Sequence, residues 1–394
     1  MSKYATAAAG KLMRIVADAN MCDVAAVFSS LGSVEELDGR AIGNADLRDA
    51  EILLVRSVTR VDAALLDNTA VRFVGTATSG FDHIDRQALE RRGIQFAYAA
   101  GCNANSVLEY VISAIASCDD KLERLCAGER VGIIGYGVIG RRLQQRLHAL
   151  GIDCVAYDPW LDQSADTVLV ALDEVLACAV ISIHAQLTER QPYPSVHLLN
   201  RETLSRIPGD SLVISAGRGA IVDNQALLRV LRGDSCFSAV LDVWEHEPEV
   251  EPELLARCRY TTPHIAGYSH TGKLLATRML YRQACTALGL EPDDTDPDSA
   301  PGAGLEAATG LEVPAGLAVP TELGGAALIR WLQQQSYEIS VDDARMRAEL
   351  GQGFDRLRRL YPLRRELADF PLINFQALSA PAQQVCVAMG CRIP

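Results

Sequence analysis

The decapeptide VGIIGYGVIG at 131–140 limits what this chain can fold into more than any other stretch. Its first four residues are an apolar run of buried-strand type. The remainder reads G-x-G-x-x-G, with Gly135, Gly137 and Gly140 in the three fixed places. Leu143, Leu147 and Leu150 follow at helical spacing. Strand, glycine turn and helix in that order form the context of a dinucleotide fingerprint. The first glycine makes the turn, the second lets backbone N–H groups approach a pyrophosphate, and the third lets helix pack on strand. The helix start, with Val138 and Ile139, adds partial positive charge for the phosphates. A second strand at 152–157 ends in Asp158, 18 residues beyond Gly140. A carboxylate there accepts hydrogen bonds from ribose hydroxyls and repels a 2′-phosphate, which favours NAD over NADP. A glycine turn alone is common between strand and helix. The strand, the helix and the placed acid together carry the reading.

At 394 residues the chain has room for two or three domains, each with its own core. Hydrophobic residues at 49% and charged residues at 22% describe an ordinary globular protein. The net charge of −13 argues against general nucleic-acid binding and against adhesion to anionic membrane. Cations that hold an anionic substrate must therefore be concentrated in the site. The eleven cysteines are scattered, odd in number and never spaced C-x-x-C, which suits a reducing cytosol and suggests neither a disulfide framework nor a metal. No apolar run reaches transmembrane length. Residues 1–11 are Ala-rich and read as a disordered lead-in, not a signal peptide.

Before the fingerprint, strands are expected at 12–17, 51–56, 71–75 and 94–97. Helices are expected at 22–31, through Leu65 and Leu66, through Leu89, and at 105–118. After it come strand candidates at 180–183, 212–215 and 239–241, separated by helical stretches. Alternating strands and helices mean an α/β protein with parallel sheets, whose ligands lie at the carboxyl ends of the strands. The expected fold class is two Rossmann-like parallel-sheet domains, for substrate and NAD, plus a small C-terminal α+β domain. The substrate domain covers 13–106 and, through a returning helix at 273–288, 271–290, so it is discontinuous in sequence. The NAD domain covers 107–270. Pro, Gly, Ala and acidic residues make 291–324 a linker, and 325–394 form the third domain.

Three stretches after the fingerprint stand at strand ends. Ser215 to Asp223 offers Arg218 between two glycines, Leu241 to Pro248 offers Asp242, Glu245 and Glu247, and Thr262 to Tyr268 offers His264. Oxidising a 2-hydroxy acid removes a hydride from C2 and a proton from its hydroxyl. His264 suits the base that takes the proton. Glu247 is the candidate carboxylate that fixes the imidazole tautomer. Arg218 suits the substrate carboxylate and the 2-oxygen, which a guanidinium grips with two donors. Each residue alone also fits a surface turn, a loop or a cap; their joint placement after the fingerprint supports the catalytic reading. His184 reads as a structural strand-end residue, His148 as structural and His246 as exposed.

With these residues the sequence resembles the D-isomer-specific 2-hydroxyacid dehydrogenases. The marks are the glycine fingerprint, "AGRGAIVD" around Arg218, "WEHEPE" around Glu247 and "TPHIAGY" around His264. Narrower marks, "VRSVT", "GTATSGFDHID", "GCNANSVLEYV" and "LDVWEHEPE", resemble the branch that oxidises 4-phospho-D-erythronate in pyridoxal 5′-phosphate biosynthesis. The resemblance implies an NAD-dependent cytoplasmic enzyme, homodimeric through its C-terminal domain. It implies substrate contacts from Ser57, Thr78 and Tyr268. It places Asp158, Ala185, Ala216, Gly217, Arg218, Asp242 and Gly267 along the cofactor. The chain departs from the family at Ala185, where Thr or Cys is usual, at Gly217, where Cys is common, and at Ala100, where Pro is common. Arg56, or Arg358 or Arg359 from a partner subunit, is the expected source of a phosphate contact. Two other readings stay open: a dehydrogenase for 3-phosphoglycerate or an unphosphorylated acid, and a non-catalytic NAD-sensing regulator.

Overall fold

Short, mostly apolar runs set the two sheets of this protein. Its computed structural model describes residues 12–162, 169–233, 237–292 and 315–393. The chain divides into two units, Met1–Cys102 with Lys273–Glu312, and Asn103–Gly272 with Val313–Pro394. Each unit has its own parallel sheet.

In the first unit, β1 (Met13–Asp18), β2 (Gly32–Leu37), β3 (Ile52–Val55), β4 (Phe73–Thr76) and β5 (Gln95–Tyr98) pair in the order β2-β1-β3-β4-β5. The central strands β3 and β4 are buried along their whole length, as parallel strands covered on both faces must be. The helix His270–Leu288 brings the chain back to this unit. Leu280, Tyr281, Ala284 and Cys285 enter the core beside Ile15, Phe28 and Phe73. Tyr281 Oη lies 2.9 Å from Ser30 Oγ, and Thr277 Oγ1 donates to the Cys22 carbonyl at 2.8 Å.

Two features of this unit differ from expectation. The strand β2, sequence GSVEEL, lacks an apolar run and lies at the sheet edge, where one side needs no burial. The helix expected through Leu65 and Leu66 is a series of turns, although Leu66 is buried; its apolar pair fills the core without a helical face behind it.

In the second unit, β6 (Val131–Ile134), β7 (Cys154–Tyr157), β8 (Val180–Ile183), β9 (Leu212–Ser215), β10 (Ser238–Leu241) and β11 (Tyr260–Thr261) pair in the order β11-β10-β9-β8-β6-β7. Every pairing is parallel. The two-residue edge strand β11 is too short to register as a pattern in the sequence.

The C-terminal segment, expected as a small α+β domain, is mainly helical. Its described residues form the helices Gly325–Ser336, Ile339–Glu349, Phe354–Arg359 and Ala380–Met389, with isolated bridges (Leu317 to Leu372, Pro371 to Arg392) in place of a sheet. They also share the second unit's cores instead of building a third. Leu328, Ile329, Leu332 and Ile339 pack with Val107, Val111 and Val131, while Met346, Phe354 and Leu357 pack with Ile134 and Trp244. The helix Ala104–Ala116 explains why. Of its residues only Asn105 escapes burial, so it needs cover on every face, and the sheet supplies one face only.

The lead-in at 1–11 and most of the proposed linker, 293–314, lie outside the described residues. The ten described cysteines are all free thiols, and no described helix is long and apolar enough to cross a membrane.

Candidate active site

Strand order reverses between β6 and β8, and that is where an open parallel sheet leaves a crevice at its carboxyl end. The glycine turn sits there. Gly135 has φ +91°, and a methyl group on it would stand 2.3 Å from Ala185 N, so no side chain fits. A methyl on Gly140 would meet the Gly135 carbonyl oxygen at 2.2 Å, which keeps helix against strand. A methyl on Gly137 would meet nothing within 4 Å. That open side, at the start of the helix Val138–Ala149, is where a pyrophosphate can approach backbone N–H groups. Asp158 follows β7, and its two carboxylate oxygens accept from Tyr136 N at 3.0 Å and Trp160 N at 3.1 Å. The acid is therefore fixed beside the glycine loop. These residues fit an adenine dinucleotide.

The catalytic candidates come together on the same sheet. His264 Nδ1 lies 2.8 Å from Glu247 Oε2, and Glu247 Oε1 accepts from Trp244 N at 2.9 Å. An ionised carboxylate only accepts, so Nδ1 carries the proton and Nε2 is left as the basic nitrogen. Burial pushes the Glu247 carboxyl up. The His264 ring, their hydrogen bond, the Trp244 N–H and the Arg358 cation outweigh it and hold the group below the ordinary carboxylate range. Arg218 extends from the loop after β9 and donates from Nη1 to the Gly217 carbonyl at 3.0 Å. The next residue ties its loop to the Glu247 loop: a methyl on Gly219 would stand 1.9 Å from the Trp244 carbonyl oxygen. Only glycine permits that approach.

Of the three carboxylates after β10, the structure gives each a separate partner. Glu245 pairs with His197 Nε2 at 2.5 Å and accepts from Asn224 N at 3.1 Å. Asp242, expected along the cofactor, is 1% exposed and binds the His264 loop. Its Oδ1 accepts from Thr262 Oγ1 at 2.6 Å and Ile265 N at 2.7 Å, and its Oδ2 accepts from Ala266 N at 3.0 Å. His264 itself has φ +57°, a conformation those bonds sustain. From the other side Arg364 donates to the Ala266 carbonyl at 3.1 Å and to the Ser106 carbonyl at 2.7 Å. Ser269 Oγ donates to Glu366 at 2.6 Å. Sequence reasoning missed Arg364 and Glu366. They lie about a hundred residues after the loop they brace, and no local pattern marks them.

The remaining expected residues fall as follows. Gly217 faces the Ile183 and Ala185 carbonyls, where a methyl would have 3.2 Å and 3.4 Å, and Ala216 is buried beside it. Gly267 lies against the Asn103 side chain. Tyr268 packs edge-on to Tyr361, with centroids 5.9 Å apart. The Arg358 guanidinium of the same chain lies 5.5 Å from the Tyr268 ring centre, whereas the sequence reading drew it from a partner. His184 bonds Ser182 Oγ at 2.8 Å, and burial pushes its ring down to about 4, so it is neutral near pH 7. His148 and His246 are exposed. In the first unit, Ser57 is exposed just after β3. Thr78 follows β4 and donates to the Gly80 carbonyl at 2.6 Å. Arg56 is ion-paired at 3.0 Å with Asp18, which is fully buried, so its charge is already matched.

The lowered Glu247 value has a measurable consequence. A carboxyl whose folded value lies below its unfolded one, about 4.3, adds stability above that pH. The contribution is lost as pH falls through the folded value. Urea unfolding of the native protein and Glu247→Gln should therefore show a stability gap at pH 6–7 that closes below about pH 4. A gap that persists or widens in acid would contradict the pairing.

Residues 113–266 match the model of the D-isomer specific 2-hydroxyacid dehydrogenase NAD binding domain. An erythronate-4-phosphate dehydrogenase of Cellvibrio japonicus (strain Ueda107) is 42% identical over 390 residues, covering 96% of this chain and 100% of the relative. One of Teredinibacter turnerae (strain ATCC 39867 / T7901) is 40% identical over 369 residues, covering 92% and 96%. Among solved structures, the TT0316 protein from Thermus thermophilus shares the fold. Its TM-score is 0.62 at 23% identity, over 71% of this chain and 98% of that one.

Proposed function

The chain belongs to the erythronate-4-phosphate dehydrogenase family, within the D-isomer-specific 2-hydroxyacid dehydrogenases, and from that premise we propose a reaction for it. It oxidises 4-phospho-D-erythronate at C2 to (R)-3-hydroxy-2-oxo-4-phosphooxybutanoate, a step of pyridoxal 5′-phosphate biosynthesis. The observation that carries the reading is the His264–Glu247 pair, 2.8 Å apart, on the sheet that bears the dinucleotide turn.

NAD, when bound, supplies the hydride acceptor. Gly135 to Gly140 hold its pyrophosphate by backbone N–H groups, and Asp158 takes the adenosine ribose. His264 accepts the C2 hydroxyl proton at Nε2 as the hydride leaves the carbon, and Glu247 stabilises the imidazolium that forms. Arg218 binds the substrate carboxylate and polarises the 2-oxygen, where negative charge develops in the reverse direction. The family resemblance adds Ser57, Thr78 and Tyr268 as substrate contacts. It also supports a cytoplasmic homodimer that joins through the C-terminal helices.

Absorbance of reduced nicotinamide, followed with purified protein and NAD, tests the reaction. 4-Phospho-D-erythronate, 3-phosphoglycerate and D-lactate run in parallel, with a 2-oxo acid acceptor added in case the signal stops after one turnover. Signal with the first acid alone is the expected result. Signal with another acid instead keeps the chemistry and removes the substrate. Silence with all three, while NAD binds, points to a regulator.

A further inference from the structure

We infer that Arg358 is the residue that selects a phosphorylated substrate, its guanidinium binding the distal phosphate; the inference rests on the substrate reading above. The helix Phe354–Arg359 is anchored by Phe354 and Leu357, both buried in the core that contains Trp244. That anchoring turns Arg358, one turn after Phe354, inward while Arg356 and Arg359 stay exposed. The Arg358 side chain is only 16% exposed, and its carboxylate neighbour, Asp355, stands at 4.0 Å, the outer limit of an ion pair. Its Nε is buried and has no hydrogen-bond partner. The guanidinium lies over the Tyr268 ring at 5.5 Å and the Phe354 ring at 6.0 Å. Tyr268 follows His264 by four residues, and the Arg358 charge reaches Glu247. The cation therefore stands beside the loop that carries the base.

Burying a guanidinium with a donor unused costs free energy unless an anion completes it. Two other arginines are already committed: Arg56 to Asp18, and Arg364 through both Nη atoms to the Ala266 and Ser106 carbonyls, although its Nε too is buried without a partner. In a chain of net charge −13, a poorly matched, half-buried cation beside the base is a place for the substrate's second anionic group. Arg218 serves the first, the carboxylate. A phosphate suits Arg358, because its oxygens accept several donors of one guanidinium fork at once.

The test compares the native enzyme with Arg358→Gln, whose stem still packs between the two rings, on 4-phospho-D-erythronate and on D-erythronate. KM for the phosphorylated acid should rise about 10- to 100-fold with kcat little changed. kcat/KM for D-erythronate, whose loss reports only the weaker support of Glu247, should fall far less than that for the phosphorylated acid, and competitive inhibition by inorganic phosphate should disappear. An equal loss on both substrates would mean that Arg358 only packs, and an unchanged KM would overturn the proposal outright. If the native enzyme itself ignores the phosphorylated acid, the substrate reading fails instead. Should Arg358→Gln not fold, judged by lost NAD binding, Arg358→Lys replaces it. A single ammonium cannot reproduce the fork, so KM should rise several-fold for the phosphorylated acid alone; no rise, or the same change on both acids, would again overturn it.

Discussion

His264→Ala should lower kcat by about 10²–10⁴-fold while NAD affinity stays near the native value. The side chain lost is the one whose basic Nε2 is freed by a carboxylate bonded to the opposite ring atom. Glu247 lies 2.8 Å from Nδ1 and is itself fixed by the Trp244 N–H, so the imidazole can neither flip nor choose the other tautomer. The dinucleotide turn is built from β6 and the helix after it and owes nothing to His264. Steady-state turnover and fluorescence titration with NADH would separate the two effects. A fall in NADH affinity that matched the fall in kcat would show that the histidine supports the cofactor site and not the proton transfer. Glu247→Gln should give a smaller loss, because the amide still positions the ring without stabilising its charged form.

Asp242→Ala should cost about 3 kcal/mol or more of unfolding free energy and most of the activity with it. Three donors of the Thr262–Ala266 loop converge on this carboxylate, and at 1% exposure no water can replace it. The Ile265 and Ala266 N–H groups, left unsatisfied in the interior, would each bear an uncompensated desolvation penalty of about 1–3 kcal/mol, while the Thr262 hydroxyl keeps Tyr110 Oη as a partner. The loop also holds His264 at φ +57°, a conformation the residue would leave once released. Urea unfolding gives the stability loss, and kcat on the same preparation gives the displacement of the base. Asp242→Ala with native stability and only weakened NAD binding would favour the cofactor role expected for this residue over the loop brace.

The carboxylates after β10 show where sequence reasoning stops. Asp242, Glu245 and Glu247 sit within six residues, and spacing alone offers all three to a histidine. Folding gives Asp242 to the loop backbone, Glu245 to His197 and Glu247 to His264, because the strand end, the turn and the loop point them three ways. The C-terminal helices show the same limit. Their apolar faces suggest a core, but only the helix Ala104–Ala116, buried at all but Asn105, reveals that they share the core of the nucleotide-binding unit.

By itself the sequence determined the parallel α/β architecture and the glycine turn, and it offered Asp158, Arg218, Glu247 and His264 as candidates. Four-residue apolar strands and glycines that admit no Cβ are local signals, set by burial and sterics within a few residues. Only the tertiary structure decided the edge strands β2 and β11, the brace from Arg364 and Glu366, and the inward turn of Arg358. Each depends on a pairing across tens to hundreds of residues, where a side chain's partner is chosen by packing and not by its neighbours in the chain.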